Sequence, residues 1–169
     1  MSMKVSIGQD SHRFDEKREG EGCRLGGVLF EGEPSFLANS DGDVVLHAVT
    51  NAVSGITGRN VLGFMADQMC QAGIRDSRAY LAVALEDLFQ KGYQVSHLSV
   101  SIEGKRPKIS PQVEAMRASL ADLLQVTPDC IGITATTGEE LTDFGRGLGV
   151  SVFCVLTVES MPKSAWRAE

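Results

Sequence analysis

The spacing of apolar residues changes several times along the chain, and this change most constrains the fold. Residues 95–102 alternate apolar and polar side chains, as in a strand with one buried face. Residues 80–88 instead place apolar side chains on one helical face. Such segments are mixed without strict βαβ alternation. We therefore expect an α+β fold, a single domain with a mixed sheet packed against helices on one face.

The remaining segments predict further elements in the same way. A helix is expected to begin after a capping Ser40 or Asp41, and another at Asp76 or Ser77 that ends before Gly92. Pro111 suits the start of a third helix that runs to Leu124. Further strands are predicted at 4–7, 25–30, 131–135 and 150–158, and irregular segments at 55–73 and 136–149. We expect one domain over 1–160 and a polar tail over 161–169.

Charge and cysteine content exclude several classes of protein. Acidic residues outnumber basic ones by 22 to 16, giving a net charge of −6, which disfavours a nucleic-acid partner or an anionic membrane surface. Apolar runs stay well short of the roughly 20 residues that a membrane span needs. The four cysteines form no CxxC pair, so we expect free thiols. Taken together, these features predict a cytoplasmic protein without membrane or nucleic-acid partners.

Two short motifs carry residues typical of a metal site. Asp10 and His12 are one residue apart beside a predicted strand and should point to the same side of it. With His47 they make two histidines and one carboxylate with an open fourth position, a common ligand set for catalytic zinc. Asp43, one helical turn before His47, could orient a ligand. The alternative is that these residues serve only local hydrogen bonds, the helix start and the core.

Three other segments are compatible with phosphate chemistry. Lys105, Arg106 and Lys108 lie in one loop, which either receives a diphosphate or a base edge, or is an ordinary solvated loop. The stretch from Thr134 to Glu140 offers hydroxyls, amides and carboxylates for phosphate oxygens and Mg²⁺, or is simply a strand end with a helix cap. Arg146 between two glycines suits a phosphate contact or a subunit interface.

Taken together, these segments resemble the 2-C-methyl-D-erythritol 2,4-cyclodiphosphate synthase family of the non-mevalonate isoprenoid pathway. The resemblance covers about 4–159, nearly the whole chain. The most specific element is Ser-Asp-Gly-Asp-x-x-x-His, combined with Asp-x-His. The motifs that carry it are Gly8-Gln-Asp-Ser-His12, Leu25-Gly-Gly27, Ser40-Asp-Gly-Asp-Val-Val-Leu-His47, Asp76-Ser77, Pro107-Lys108, Ala135-Thr-Thr137 and Gly145-Arg-Gly147.

The resemblance implies a homotrimer with active sites between subunits. The implied substrate is 4-diphosphocytidyl-2-C-methyl-D-erythritol 2-phosphate, whose 2-phosphate attacks the β-phosphorus and expels CMP to leave a cyclic diphosphate. It implies zinc on Asp10, His12 and His47, and Mg²⁺ or Mn²⁺ on Glu139 with the substrate diphosphate. Thr137 and the residue at position 39 correspond to the transition-state contacts of the family.

The resemblance also implies a set of substrate contacts. The residues from 104 to 110, together with Ala135 and Thr136, match the cytidine pocket. The full implied set is Asp10, His12, Asn39, Ser40, Gly63, Asp67, Gly104, Pro107, Lys108, Ile109, Ser110, Ala135, Thr136, Thr137, Glu139 and Arg146.

The chain departs from the family pattern at several positions. Asn39 replaces a histidine and can still donate a hydrogen bond, but it cannot become cationic. Asn51 replaces an aspartate, and Val61 replaces a carboxylate that holds the ribose. The segment Thr142-Asp-Phe144 replaces the usual Gly-Phe-Thr. The metal ligands are kept.

These departures leave two alternatives beside the synthase. One is a zinc-dependent phosphoryl-transfer enzyme or hydrolase with a different substrate. The other is a non-catalytic trimer that holds an isoprenoid diphosphate in a central cavity near Arg146. Product analysis on the synthase substrate distinguishes all three.

Overall fold

A computed structural model describes residues 2–162, which form a four-stranded mixed sheet with helices on one face. The sheet strands are β1 (Met3–Arg13), β4 (Tyr93–Glu103), β5 (Ile131–Thr136) and β6 (Gly149–Ser160). The strand order is β1-β6-β4-β5; β4 and β5 are parallel and the other pairs are antiparallel. The expected α+β class and mixed sheet are confirmed. The helices are α1 (Val44–Thr57), α2 (Phe64–Gln71), α3 (Ser77–Gln90) and α4 (Val113–Leu124).

Strand β1 is longer than the predicted segment 4–7, and Asp10 and His12 lie inside it rather than after it. Positions 9–12 are polar, so the hydrophobicity pattern does not indicate that the strand continues there. Their backbone groups pair with β6 all the same, with Asp10 opposite Val152 and His12 opposite Val150. Pairing with a long apolar neighbour therefore extends the strand where local propensity would end it.

The strand predicted over 25–30 is wrong, because two short strands form a hairpin there. Strands β2 (Cys23–Leu25) and β3 (Val28–Phe30) pair antiparallel, and Leu25 faces Val28. Gly26 and Gly27 make the turn with φ of 62° and 80°. Positive φ at both positions matches the twist of a two-residue hairpin turn.

Asp43, rather than Ser40 or Asp41, caps α1. Its carboxylate accepts from the amides of Leu46 (3.0 Å), Gly26 (2.8 Å) and Gly27 (2.6 Å). The expectation that Asp43 orients a metal ligand is therefore wrong, because both its oxygens fasten the hairpin to the start of α1. Complete burial raises the pKa of Asp43, and the three amide hydrogen bonds oppose that rise.

Replacing Asp43 with asparagine should lower the free energy of unfolding by about 2 kcal/mol, because one amide oxygen cannot serve three buried N–H donors. The matched control is Asp76→Asn at the exposed cap of α3, where asparagine caps a helix as well as aspartate does. Urea unfolding of both variants measures the difference. Equal losses at the two caps would contradict this role of Asp43.

The segment 55–73 is not irregular, contrary to expectation. Helix α1 continues to Thr57 and ends at Gly58, whose φ is 75°. Helix α2 follows at Phe64–Gln71 and buries none of its residues completely. Its apolar side chains are only partly covered, so the sequence lacks the sharp periodicity that marks α1.

The other helices and strands agree with expectation. Asp76 caps α3. A single 3-10 turn at Ser110–Gln112 precedes α4, which ends at Leu124. Within residues 2–162, no helix is long and apolar enough to cross a membrane. The amide of Met161 donates a hydrogen bond to the carbonyl oxygen of Gly92. Residues 163–169 of the predicted polar tail lie outside the described residues.

The four cysteines all lie within the described residues and are free thiols, as predicted. Cys23 and Cys154 are buried, and burial raises the pKa of each thiol to about 12. Cys70 and Cys130 are partly exposed.

A disulfide reagent at pH 8 should therefore label Cys70 and Cys130 in the native protein at least about 100-fold faster than Cys23 and Cys154, because attack requires an accessible thiolate. Mass spectrometry of timed samples checks this expectation. In urea all four should react at similar rates, and early native labelling of Cys23 or Cys154 would contradict it.

Candidate active site

A close approach of α1 to β1 builds the candidate site. Asp10 and His12 project from one face of β1, and His47 projects from α1 towards them. Gly8 allows this contact, because a Cβ there would lie 1.9 Å from the carbonyl oxygen of Ala48. Ligand atoms of Asp10, His12 and His47 all lie within 4.8 Å of one another. The structure therefore brings the predicted metal triad together.

Hydrogen bonds around the triad assign which atoms face one another. The Nε2–H of His47 donates to Ser77 Oγ (2.8 Å), because the Ser77 hydroxyl itself donates to Asp41. The Nδ1 lone pair of His47 then faces Asp10 Oδ2 at 3.0 Å. His12 Nδ1 lies 2.7 Å from the carbonyl oxygen of Ser11 and donates to it.

His12 Nε2 is consequently an acceptor, and it is buried without a hydrogen-bond partner among the described residues. His12 Nε2, His47 Nδ1 and the Asp10 carboxylate are thus acceptors that receive no good hydrogen bond within the described residues. A cation stabilises such a group of acceptors, which otherwise costs free energy. Two imidazoles and one carboxylate suit a divalent ion such as zinc. The residues present therefore fit a metal.

A cavity of about 490 Å³ lies over the triad. The predicted site residues that line it are Asp10, His12, Asn39, Ser40, His47, Gly63 and Asp67. Sequence reasoning missed Leu37, Ala38, Asn51, Asn60, Leu62, Ala66, Cys70 and Tyr80 as lining residues. Asn51 lies one helical turn after His47, a spacing that could have placed it here. Tyr80 belongs to the apolar face of α3 and gave no such signal.

The substituted positions differ in whether they reach this cavity. Asn39 is exposed and lines the cavity. Its backbone carbonyl oxygen accepts a hydrogen bond from the Cys70 thiol at 3.2 Å. Val61 is fully buried and does not line the cavity. Polar groups nearby come from Asn60 and Asp67 instead.

The other predicted site residues lie away from the triad in the same chain. Across the sheet, Asp10 is opposite Val152, Val152 opposite Ile102, and Ile102 opposite Ala135. Three strand spacings separate Asp10 from Ala135 by about 14 Å. The predicted residues that do not line the cavity are Gly104, Pro107, Lys108, Ile109, Ser110, Ala135, Thr136, Thr137, Glu139 and Arg146.

These residues form two neighbouring loops at the ends of β4 and β5. Pro107 and Ile109 are buried, whereas Lys108 is exposed on a second cavity of about 620 Å³. Thr137 and Glu139 are exposed, and Glu139 adopts a left-handed conformation with φ of 50°.

Side-chain contacts hold the second of these loops. The Thr142 hydroxyl donates to Glu103, so the divergent segment at 142–144 is tied to the end of β4. Arg146 pairs with Asp143 at 2.6 Å and donates to the carbonyl oxygen of Glu140.

Comparison with known proteins gives the family. The model of the YgbB family matches residues 3–159. The chain belongs to the YgbB family. A family relative from Chlamydia trachomatis serovar A, named 2-C-methyl-D-erythritol 2,4-cyclodiphosphate synthase, is 51% identical over 156 residues, or 92% of this chain and 87% of the relative. The resemblance drawn from the motifs is thus confirmed.

Solved structures of other proteins share the fold. A 2C-methyl-D-erythritol-2,4-cyclodiphosphate synthase in a CDP-bound form is 29% identical with a TM-score of 0.78, covering 92% of this chain and all of that one (100%). The bifunctional IspDF from Campylobacter jejuni is 25% identical with a TM-score of 0.85. The match covers 95% of this chain, which spans only 43% of that longer protein.

Proposed function

We propose that this protein is a 2-C-methyl-D-erythritol 2,4-cyclodiphosphate synthase. A 2-phosphate oxygen of 4-diphosphocytidyl-2-C-methyl-D-erythritol 2-phosphate attacks the β-phosphorus. The bond from that phosphorus to the bridging oxygen breaks, and CMP leaves with the bridging oxygen. The observation that carries the proposal is the convergence of Asp10, His12 and His47 beneath a cavity, in a chain about half identical to named synthases.

In this proposal Asp10, His12 and His47 hold zinc, and Glu139 holds Mg²⁺ or Mn²⁺ with the substrate diphosphate. A bound zinc supplies a Lewis acid and a template for phosphate oxygens. The chain's own part is to hold the reacting groups in line and to neutralise charge, which supplies most of the rate when no covalent step is required. Asp10 and His12 owe their placement to the rigid β1–β6 pairing.

Asn39 and Thr137 are proposed as the groups that contact the reacting phosphates. The Asn39 amide can donate a hydrogen bond at the cavity wall without a change of protonation. Ser40, Gly63 and Asp67 line the same cavity and are proposed to contact the remainder of the substrate.

The nucleotide is proposed to bind the loops at the ends of β4 and β5. Lys108 offers an exposed ammonium there, beside buried Pro107 and Ile109. The contacts proposed for this part are Gly104, Pro107, Lys108, Ile109, Ser110, Ala135, Thr136 and Arg146.

We propose that the protein is a homotrimer whose sites lie between subunits. Support comes from the open face of the sheet, where β1 exposes Val5 (62%) and Ile7 (65%) and β6 exposes Phe153 (51%). A contiguous apolar patch of this kind marks a protein interface. The separation of the triad from the β5 loop also favours a neighbouring copy as the source of Thr137 and Glu139. Light scattering should give three times the chain mass of 18.1 kDa.

The four free thiols support a reducing, cytoplasmic location. The acidic net charge of −6 supports a small-molecule substrate rather than a nucleic-acid partner.

The proposed activity is tested by incubating the protein with 4-diphosphocytidyl-2-C-methyl-D-erythritol 2-phosphate, Zn²⁺ and Mg²⁺. Phosphorus NMR should show a cyclic diphosphate and CMP appearing in equal amounts. A linear hydrolysis product would instead indicate a hydrolase. Binding of the substrate without turnover, by zinc-loaded trimer, would reject the synthase in favour of a binding protein.

A further inference from the structure

We propose that Ser77, held by Asp41, is a positioning residue that fixes His47 in the tautomer presenting Nδ1 to the metal. The inference deepens the proposed function and rests on its metal site. It concerns residues that do not contact substrate or metal. Ser77 lies at the start of α3, the helix that packs against α1 and supplies none of the three metal ligands.

The direction of the hydrogen bonds carries the inference. Ser77 is fully buried, and its hydroxyl has one proton. That proton goes to Asp41 Oδ1, in a bond to an ionised acceptor that is stronger than one to a neutral group. Ser77 Oγ is then left only as an acceptor for His47, and the proton between them must belong to His47 Nε2.

Asp41 is held so that it keeps this role. Its second oxygen accepts from the backbone amide of Ser77 at 3.2 Å, and its own amide donates to the carbonyl oxygen of Arg75. Both ends of the Asp41–Ser77 contact are thereby fixed. An imidazole whose outer nitrogen is held by such a partner is oriented and more basic at its inner nitrogen.

Ser40 is the neighbouring hydroxyl that does not fulfil this role. Its Oγ lies 3.5 Å from His47 Nε2, against 2.8 Å for Ser77, and it already accepts from the Gly42 amide. A contact of 3.5 Å is at the limit of a hydrogen bond. Ser40 and Ser77 thus give a matched pair of serines around one nitrogen.

The test measures zinc affinity by competition with a chromophoric chelator, without substrate. Ser77→Ala should raise the zinc dissociation constant about 10- to 100-fold, the usual effect of losing a group that orients a ligand. Ser40→Ala should change it by less than about twofold, and Ser77→Thr, which keeps the hydroxyl, should restore most of the affinity. Circular dichroism and thermal melting confirm that each variant is folded.

Asp41→Asn provides a second test that leaves the Ser77 side chain in place. It removes the charge that holds the hydroxyl proton, so zinc affinity should fall, but less than in S77A. Wild-type affinity in both S77A and D41N would overturn the inference, as would equal losses in S77A and S40A. Failure of the wild-type protein to bind zinc would reject the proposed metal site itself, a result distinct from either of these.

Discussion

Replacing His47 with alanine is expected to abolish zinc binding and to lower turnover at least about 100-fold, more than residues that merely orient a ligand usually contribute. His47 Nδ1 lies 3.0 Å from Asp10 Oδ2 and supplies one of three converging ligand atoms. Two remaining ligands hold a metal weakly and leave it free to move. Zinc content of the purified variant and the rate of CMP release measure the two effects.

His97→Ala is the matched control for H47A. His97 is exposed on β4 and does not belong to the triad, so its loss should leave zinc content unchanged. The His47 side chain is nearly buried but faces polar partners, Asp10 and Ser77, which can be hydrated in its absence. H47A should therefore stay folded by circular dichroism. Tight zinc retention by folded H47A would contradict the assignment.

The triad could be predicted from the sequence because its geometry is mostly local. Alternation along one strand places Asp10 and His12 on one side, whatever the rest of the fold does. His47 needed one further fact, the packing of α1 on β1. The apolar pattern of α1 predicted that it packs on the sheet, but not which strand it contacts.

The errors arise where partners are distant along the chain. Asp43 binds amides 16 and 17 residues away, and Ser77 lies 36 residues from Asp41 and 30 from His47. Local capping rules therefore favoured Ser40 or Asp41 as the start of α1, although both side chains are occupied elsewhere. Only the tertiary structure shows which of several nearby acidic residues caps the helix.

The divergent positions show a related limit. A sequence comparison marks Val61 as the loss of a carboxylate, but Val61 is fully buried, whereas Asn60 and Asp67 line the cavity. The polar character of this wall is thus kept by neighbours of the substituted residue. The segment at 142–144 likewise gains its own contact, from Thr142 to Glu103. In both segments, other nearby residues supply a polar group or a contact beside the substituted position.

Replacing Gly8 with alanine should lower the free energy of unfolding by about 3 kcal/mol or more, the upper range for an overpacked site. The new Cβ would lie 1.9 Å from the carbonyl oxygen of Ala48 and 2.7 Å from the amide nitrogen of Ala52. Both are backbone atoms of α1, so no side-chain rotation relieves the clash. Helix α1 must move away from β1, which also displaces His47 from Asp10. Urea unfolding and zinc affinity measured on one sample should therefore both decline.

Gly132→Ala is the control for G8A, because Gly132 also lies in a strand of the same sheet. Its Cβ would meet nothing closer than 3.9 Å, and alanine reduces the entropy of the unfolded chain, so G132A should be neutral or slightly stabilising. Similar stabilities for the two variants would mean that α1 does not need its close contact with β1. A G8A protein that lost stability but kept full zinc affinity would show that His47 is placed by α3 and Ser77 rather than by that contact.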